Sequence, residues 1–108
     1  MALVALLCPD LLFGSQVEGT LRAAGHEVMR VDGSEAAQGA DLVVVDLTAD
    51  VGERIAALEG LEDIPALGFY PHVDQETRRR AEQAGFDRVV PRSRMARETA
   101  ALVEALLP

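Results

Sequence analysis

The stretch ADLVVVDLTAD, residues 40–50, decides the fold. Four apolar residues follow Asp41, three of them β-branched, and the run ends in Asp46. That is the pattern of a parallel strand covered on both faces which delivers one carboxylate to the rim of a sheet. Whether Asp46 accepts a phosphoryl group or is the remnant of such an acceptor depends on what the rest of the chain places beside it.

Working outward, ALVALLC (2–8) is an apolar run of strand length, with Asp10 positioned as a helix cap. Phe13, Val17, Leu21 and Ala24 then recur on one face of a helix, and Gly25 stands where a left-handed C-terminal residue is wanted. EVMRV (27–31) is a second strand, DG (32–33) a turn, and 34–39 leaves room for about one helical turn. After the third strand, 41–46, the residues Val51, Ile55 and Leu58 mark a helix, and IPALGFY (64–70) supplies a fourth strand entered at Pro65. Asp74 caps the helix in QETRRRAEQAG, Gly85 ends it, and DRVV (87–90) is a short fifth strand. Met95, Thr99, Leu102, Val103 and Leu106 share one side of the last helix.

Five strands alternating with five helices predict one α/β domain with a parallel sheet and helices on both faces. In such a sheet, ligands and chemistry lie beyond the carboxyl ends of the strands. The rule gathers Cys8, Pro9 and Asp10 after the first strand, Asp46 and Thr48 after the third, Tyr70 and His72 after the fourth, and Arg92 and Ser93 after the fifth.

Composition bounds the function. The 108 residues suffice for one hydrophobic core without a disulfide, and 49% hydrophobic with 26% charged residues is ordinary for a folded domain. No apolar run approaches the roughly 20 residues of a membrane span, and MALVALLCPD has neither the basic start nor the cleavage site of a leader, so a cytoplasmic location is expected. One cysteine excludes an internal disulfide. A net charge of −8 opposes direct binding to a nucleic-acid backbone.

ALVALLCPD, LRAAGHEVMRVDG, ADLVVVDL, IPALGFY and AEQAGFDRVVPRS stand in the order and near the spacing of a known family. In them the chain resembles the receiver domains of two-component response regulators over essentially its whole length. The resemblance implies a flavodoxin-like three-layer α/β sandwich, five parallel strands in the order 2-1-3-4-5, and a signalling role. It also implies an acidic pair after strand one that holds Mg²⁺ with an acceptor aspartate after strand three, a hydroxyl side chain after strand four, and a lysine after strand five.

Carried over residue by residue, Asp46 takes the acceptor position, but the acidic pair falls on Cys8 and Pro9, with Asp10 one place late. The lysine falls on or beside Pro91, with Arg92 the nearest cation, and the hydroxyl position falls near Phe69 or Tyr70. LTADVG replaces the usual proline-containing loop after the acceptor. Phosphoryl transfer to a carboxylate gathers negative charge, so it needs a divalent and a fixed cation. Mg²⁺ wants near-octahedral oxygen ligation, usually from one or two carboxylates plus waters and phosphate. Here it would require Asp10 and Asp46 to cooperate, so no cofactor is expected.

The expected function is an atypical receiver-like domain that signals by protein–protein interaction rather than as an enzyme. Its partner is a protein or a second copy, met through the face of helix four, strand five and helix five, where Arg78 to Arg80, Arg88, Arg92, Arg94 and Arg97 collect. Two alternatives stay open: a working receiver phosphorylated on Asp46, and a phosphoryl carrier or phosphatase-like enzyme using Cys8 at a helix N-terminus. In YPHVD (70–74), His72 and Asp74 face the same way on an extended loop, a conceivable metal or proton-transfer pair, although Asp74 is also a natural N-cap. His26, in a helix-to-strand turn, reads as structural.

Overall fold

In the computed structural model, which describes residues 2–71 and 73–107, ten elements alternate: β1 (Leu3–Leu7), α1 (Leu11–Ala23), β2 (Glu27–Arg30), α2 (Ser34–Ala37), β3 (Leu42–Asp46), α3 (Val51–Ala56), β4 (Ala66–Tyr70), α4 (Gln75–Gln83), β5 (Arg88–Pro91) and α5 (Arg92–Leu106). The strands form one all-parallel sheet in the order β2-β1-β3-β4-β5. This is the flavodoxin-like sandwich expected from the sequence.

Side-chain alternation along the central strands sorts the core into two layers. Val4, Leu6, Leu42, Val44, Leu67 and Phe69 pack with Phe13, Val17 and Leu21 of α1 and with Met95, Leu102 and Val103 of α5. Leu7, Val43, Val45 and Tyr70 face the other way, toward Ala37, Leu61, Ala81 and Phe86. β3 is buried at all five positions, which is why its sequence shows no alternation.

The two Ala-Gly pairs end their helices by the same device. His26 N–H donates to the Leu21 carbonyl and Gly25 N–H to that of Arg22, while Phe86 and Gly85 repeat this on Ala81 and Glu82. Gly25 and Gly85 hold φ at 94° and 103°, the left-handed region that glycine enters without a Cβ penalty.

Several expected boundaries move. β4 begins at Ala66, not Ile64, because Ile64 N–H closes a turn on the Leu61 carbonyl, although Pro65 still accepts from Val43 N–H. β3 starts one residue late, at Leu42; Asp41 precedes it with its N–H donating to the Leu3 carbonyl and its carboxylate accepting from Leu3 N–H, both at 2.8 Å. β5 runs from Arg88 to Pro91, one residue later than expected, and α5 begins directly at Arg92, so Arg92 and Ser93 follow the strand as the helix's first turn. Glu98 departs from helical geometry (φ −123°), where the buried Thr99 hydroxyl donates to the Met95 carbonyl at 2.6 Å, a side-chain bond of the kind that bends helices.

His26 is structural, as read: its Nδ1 accepts from Ala2 N–H at 3.2 Å and its Nε2 meets Glu104 at 3.0 Å, tying the start of the sheet to α5.

Candidate functional site

Asp46 ends β3 with its residue 4% exposed, and its register partner on β4 is Phe69. Its place in the alternation of β3, with Leu42 and Val44, turns it toward the α1/α5 layer. A carboxylate removed from water must find donors. Oδ1 accepts from the backbone N–H of Thr48 at 2.8 Å and from its hydroxyl at 2.5 Å, a local turn over Asp46, Leu47 and Thr48. Oδ2 accepts from the Cys8 thiol at 3.6 Å. The backbone carbonyl of Asp46 takes the Arg54 guanidinium at 2.9 Å, and Arg54 also pairs with Asp50.

Cys8 is 3% exposed. Burial first, and then the neighbouring Asp46 carboxylate, push its thiol from 9.0 up to about 11. The peptide carbonyl of Cys8 is gripped by Arg30 at 2.7 Å, and Gly14 makes room for that guanidinium, since a Cβ there would stand 2.4 Å from Arg30 Nη2.

Because the folded-state pKa of Cys8 lies above its unfolded value, the stability linked to it is complete below pH 9.0 and lost as pH rises through about 11. The two-unit difference corresponds to about 2–3 kcal/mol. Wild type should therefore show an alkaline loss of stability that Cys8→Ala lacks, read from denaturation midpoints across that window. The chain has no lysine, and arginine does not titrate there, which leaves few other groups to confuse the comparison. At neutral pH the native thiol should react with an alkylating agent at least about 100-fold more slowly than in the unfolded chain.

The Asp10 carbonyl also lies within reach of the Cys8 thiol, at 3.8 Å, but the Asp10 carboxylate is engaged elsewhere. Its Oδ1 caps α1 by accepting from Phe13 N–H at 3.0 Å, and its Oδ2 pairs with Arg92 at 3.3 Å. Arg92 in turn lies 4.5 Å above the Phe13 ring, whose centroid is 5.0 Å from that of Phe69. In place of the cooperation with Asp46 that a metal would require, the Asp10 carboxylate makes a cap and a surface ion pair, because Pro9 fixes the chain's exit from β1 and Asp10 follows it into the helix start. Pro9 and Ser93 are exposed.

Tyr70 is buried in the opposite layer, so Phe69 is the residue that stands beside Asp46. His72 lies outside the described residues. Its expected companion Asp74 caps α4, accepting from Thr77 N–H at 3.0 Å and from its hydroxyl at 2.6 Å, which holds the carboxyl below its ordinary range. Arg30, Arg54 and Gly14 escaped the sequence reading. Only the arginines left a trace there, as the two basic residues of an otherwise acidic stretch from 27 to 63.

A Mg²⁺ seat needs oxygen donors, and the donors here do not fit one. The position that faces Asp46 from β1 holds a thiol, and the one beside it on β4 a phenyl ring. Among the described residues no three of His, Cys, Asp and Glu come together.

Sheet order, flanking helices and a carboxylate at the end of β3 define a flavodoxin-like α/β domain. No family model matches the chain and no curated protein matches it, so the likeness is one of structure. The Francisella response regulator 1452 receiver domain superposes with a TM-score of 0.80 at 15% identity, over 98% of this chain and 96% of that one. The receiver domain of the sensor histidine kinase PA1611 from Pseudomonas aeruginosa, solved with a magnesium ion coordinated in its active-site cleft, gives 0.79 at 16%, over 97% and 96%. NtrX from Brucella abortus gives 0.83 at 19% over 98% of this chain, which spans 26% of that protein. The fold is that of response-regulator receiver domains.

Proposed function

We propose that this chain is an atypical receiver-like domain that works in signal transduction by binding a protein, without Mg²⁺-dependent phosphorylation of Asp46. The observation that carries the reading is that the Asp46 carboxylate is held by Thr48 and Cys8, with no second carboxylate against it among the contacts of the described residues. A phosphoryl group arriving there would add negative charge at a buried carboxylate in a chain with no lysine, and no second carboxylate stands against Asp46 among the described residues to help seat a divalent ion. Catalysis through Cys8 is opposed by a thiol that stays protonated at neutral pH.

The contact surface in this proposal is the α4–β5–α5 face, and the setting is the cytoplasm. Residues 74–98 carry seven arginines against five acidic residues in a chain that is otherwise acidic. Several are held in ordered pairs on their own helices: Arg78 with Glu82, Arg79 with Glu76, and Arg94 with Glu98. Such pairs add little stability, and they fix a charge pattern that a partner can read. For the same domain, no helix is long and apolar enough to cross a membrane among the described residues.

Incubating the protein with a small phosphodonor and Mg²⁺, then weighing it intact, tests the reading. Wild type, Asp46→Asn and Cys8→Ser should all keep their unmodified mass. An acid-labile adduct lost only in Asp46→Asn would make this a working receiver, and one lost only in Cys8→Ser would make it a phosphoryl carrier.

A further inference from the structure

Away from the rim, two hollows of about 160 and 370 Å³ lie between α3 with its following turn and the C-terminal end of α4, and they share Leu58, Glu62 and Ala84. Half-buried Ile55, Leu58 and Ile64 line them on the apolar side, and exposed Glu59 and Glu62 stand at the edge. Ile55, Leu58 and Ile64 pack on the core with one side and line the hollows with what remains accessible.

The charge of the surroundings is one-sided. Residues 27–63 hold ten acidic side chains against two basic ones, Arg30 and Arg54, and both of those are spent at the rim on backbone carbonyls and local carboxylates. Glu62 accepts from Gly60 N–H, and neither Glu59 nor Glu62 is paired with an arginine among the described contacts. α4 ends here, at Ala84 and Gly85, so its carbonyl terminus adds negative potential. Among the described residues, the cation that approaches is the exposed Arg80, whose guanidinium lies over Gly52, a residue that lines the larger hollow and not the smaller one.

We infer that this α3–α4 groove docks a basic amphipathic helix of a partner protein, with apolar side chains entering over Leu58 and cations meeting Glu59 and Glu62. A groove between two helices with an apolar floor suits helix recognition, and charge complementarity selects the basic partner. The inference rests on the domain being a binding module but not on the chemistry of Asp46, so Asp46→Asn should bind as wild type does and the phosphodonor assay fails or succeeds independently.

The probe is a labelled synthetic peptide with leucines at helical spacing and lysines on the other face, titrated into the full chain. Anisotropy should report binding, and amide shifts should centre on Ile55, Leu58, Ile64 and Ala84. Reversing Glu59→Lys together with Glu62→Lys should weaken binding at least about tenfold without lowering the melting temperature. Reversing the equally exposed Glu27 and Glu35, in the same acidic stretch, should change it less than about twofold. Shifts centred elsewhere, equal losses in both reversals, equal binding of a scrambled peptide, or a dimer that buries the groove in a second copy would each overturn the inference.

Discussion

A Cys8→Asp variant should lose about 3–5 kcal/mol of stability at neutral pH in the presence of a chelator. The thiol stands 3.6 Å from Asp46 Oδ2, and both residues are almost fully removed from solvent. A carboxylate there meets a like charge at low dielectric and takes away the donor that Oδ2 now uses. The introduced carboxyl would have a folded-state pKa above its unfolded value, so the penalty should vanish below the unfolded value of about 4 and grow as pH rises through the folded one.

Divalent metal should act on the variant alone. Two carboxylates on adjacent strands, together with waters, begin to meet the oxygen demand of Mg²⁺, and an ion that binds only the folded form raises its stability. Denaturation midpoints with chelator and with Mg²⁺ should therefore diverge for Cys8→Asp and coincide for wild type. A variant as stable as wild type at neutral pH without metal would show that a cation or free solvent already compensates Asp46.

The second large effect belongs to Phe13. Its ring joins α1 to β4 through Phe69 and to α5 through Arg92, and it is 6% exposed. Phe13→Ala should cost about 3–5 kcal/mol, of which the aromatic pair supplies about 1 and cavity formation most of the rest. Phe13→Leu, which keeps much of the volume, should cost roughly half as much. Urea denaturation decides between this and a surface role, for which the alanine variant would lose less than about 1 kcal/mol.

The fold was legible because each of its devices is local. The unbroken apolar run of β3 reflects burial on both faces, and Ala24-Gly25 with Ala84-Gly85 reflects a helix end that only glycine enters cheaply. The one-turn helix at Ser34–Ala37 follows from the few residues between strands. The site was legible in its members but not in its pairings. Strand-end position brought out Cys8, Asp46 and Thr48, yet side-chain reach cannot be read from spacing, so Asp10 was offered to Asp46 when it is nearer to the Phe13 amide and Arg92.

Phe69 and Tyr70 both stand at the end of β4, and the choice of Phe69 as the neighbour of Asp46 depends on register, which the sequence leaves free by one residue. Arg30 reaches the Cys8 carbonyl across a glycine of a different helix, a contact no linear pattern announces. One signal was present and unused: a chain with no lysine cannot supply the fixed ammonium after β5.

A Mg²⁺ titration of the wild-type protein, followed through the amide resonances of Cys8, Asp46 and Thr48, tests the central claim most directly. A lone carboxylate held by Thr48 and Cys8 predicts no site-specific shift there, even at a large molar excess of the ion. A saturable shift of the Asp46 and Thr48 amides that Asp46→Asn abolishes would contradict it.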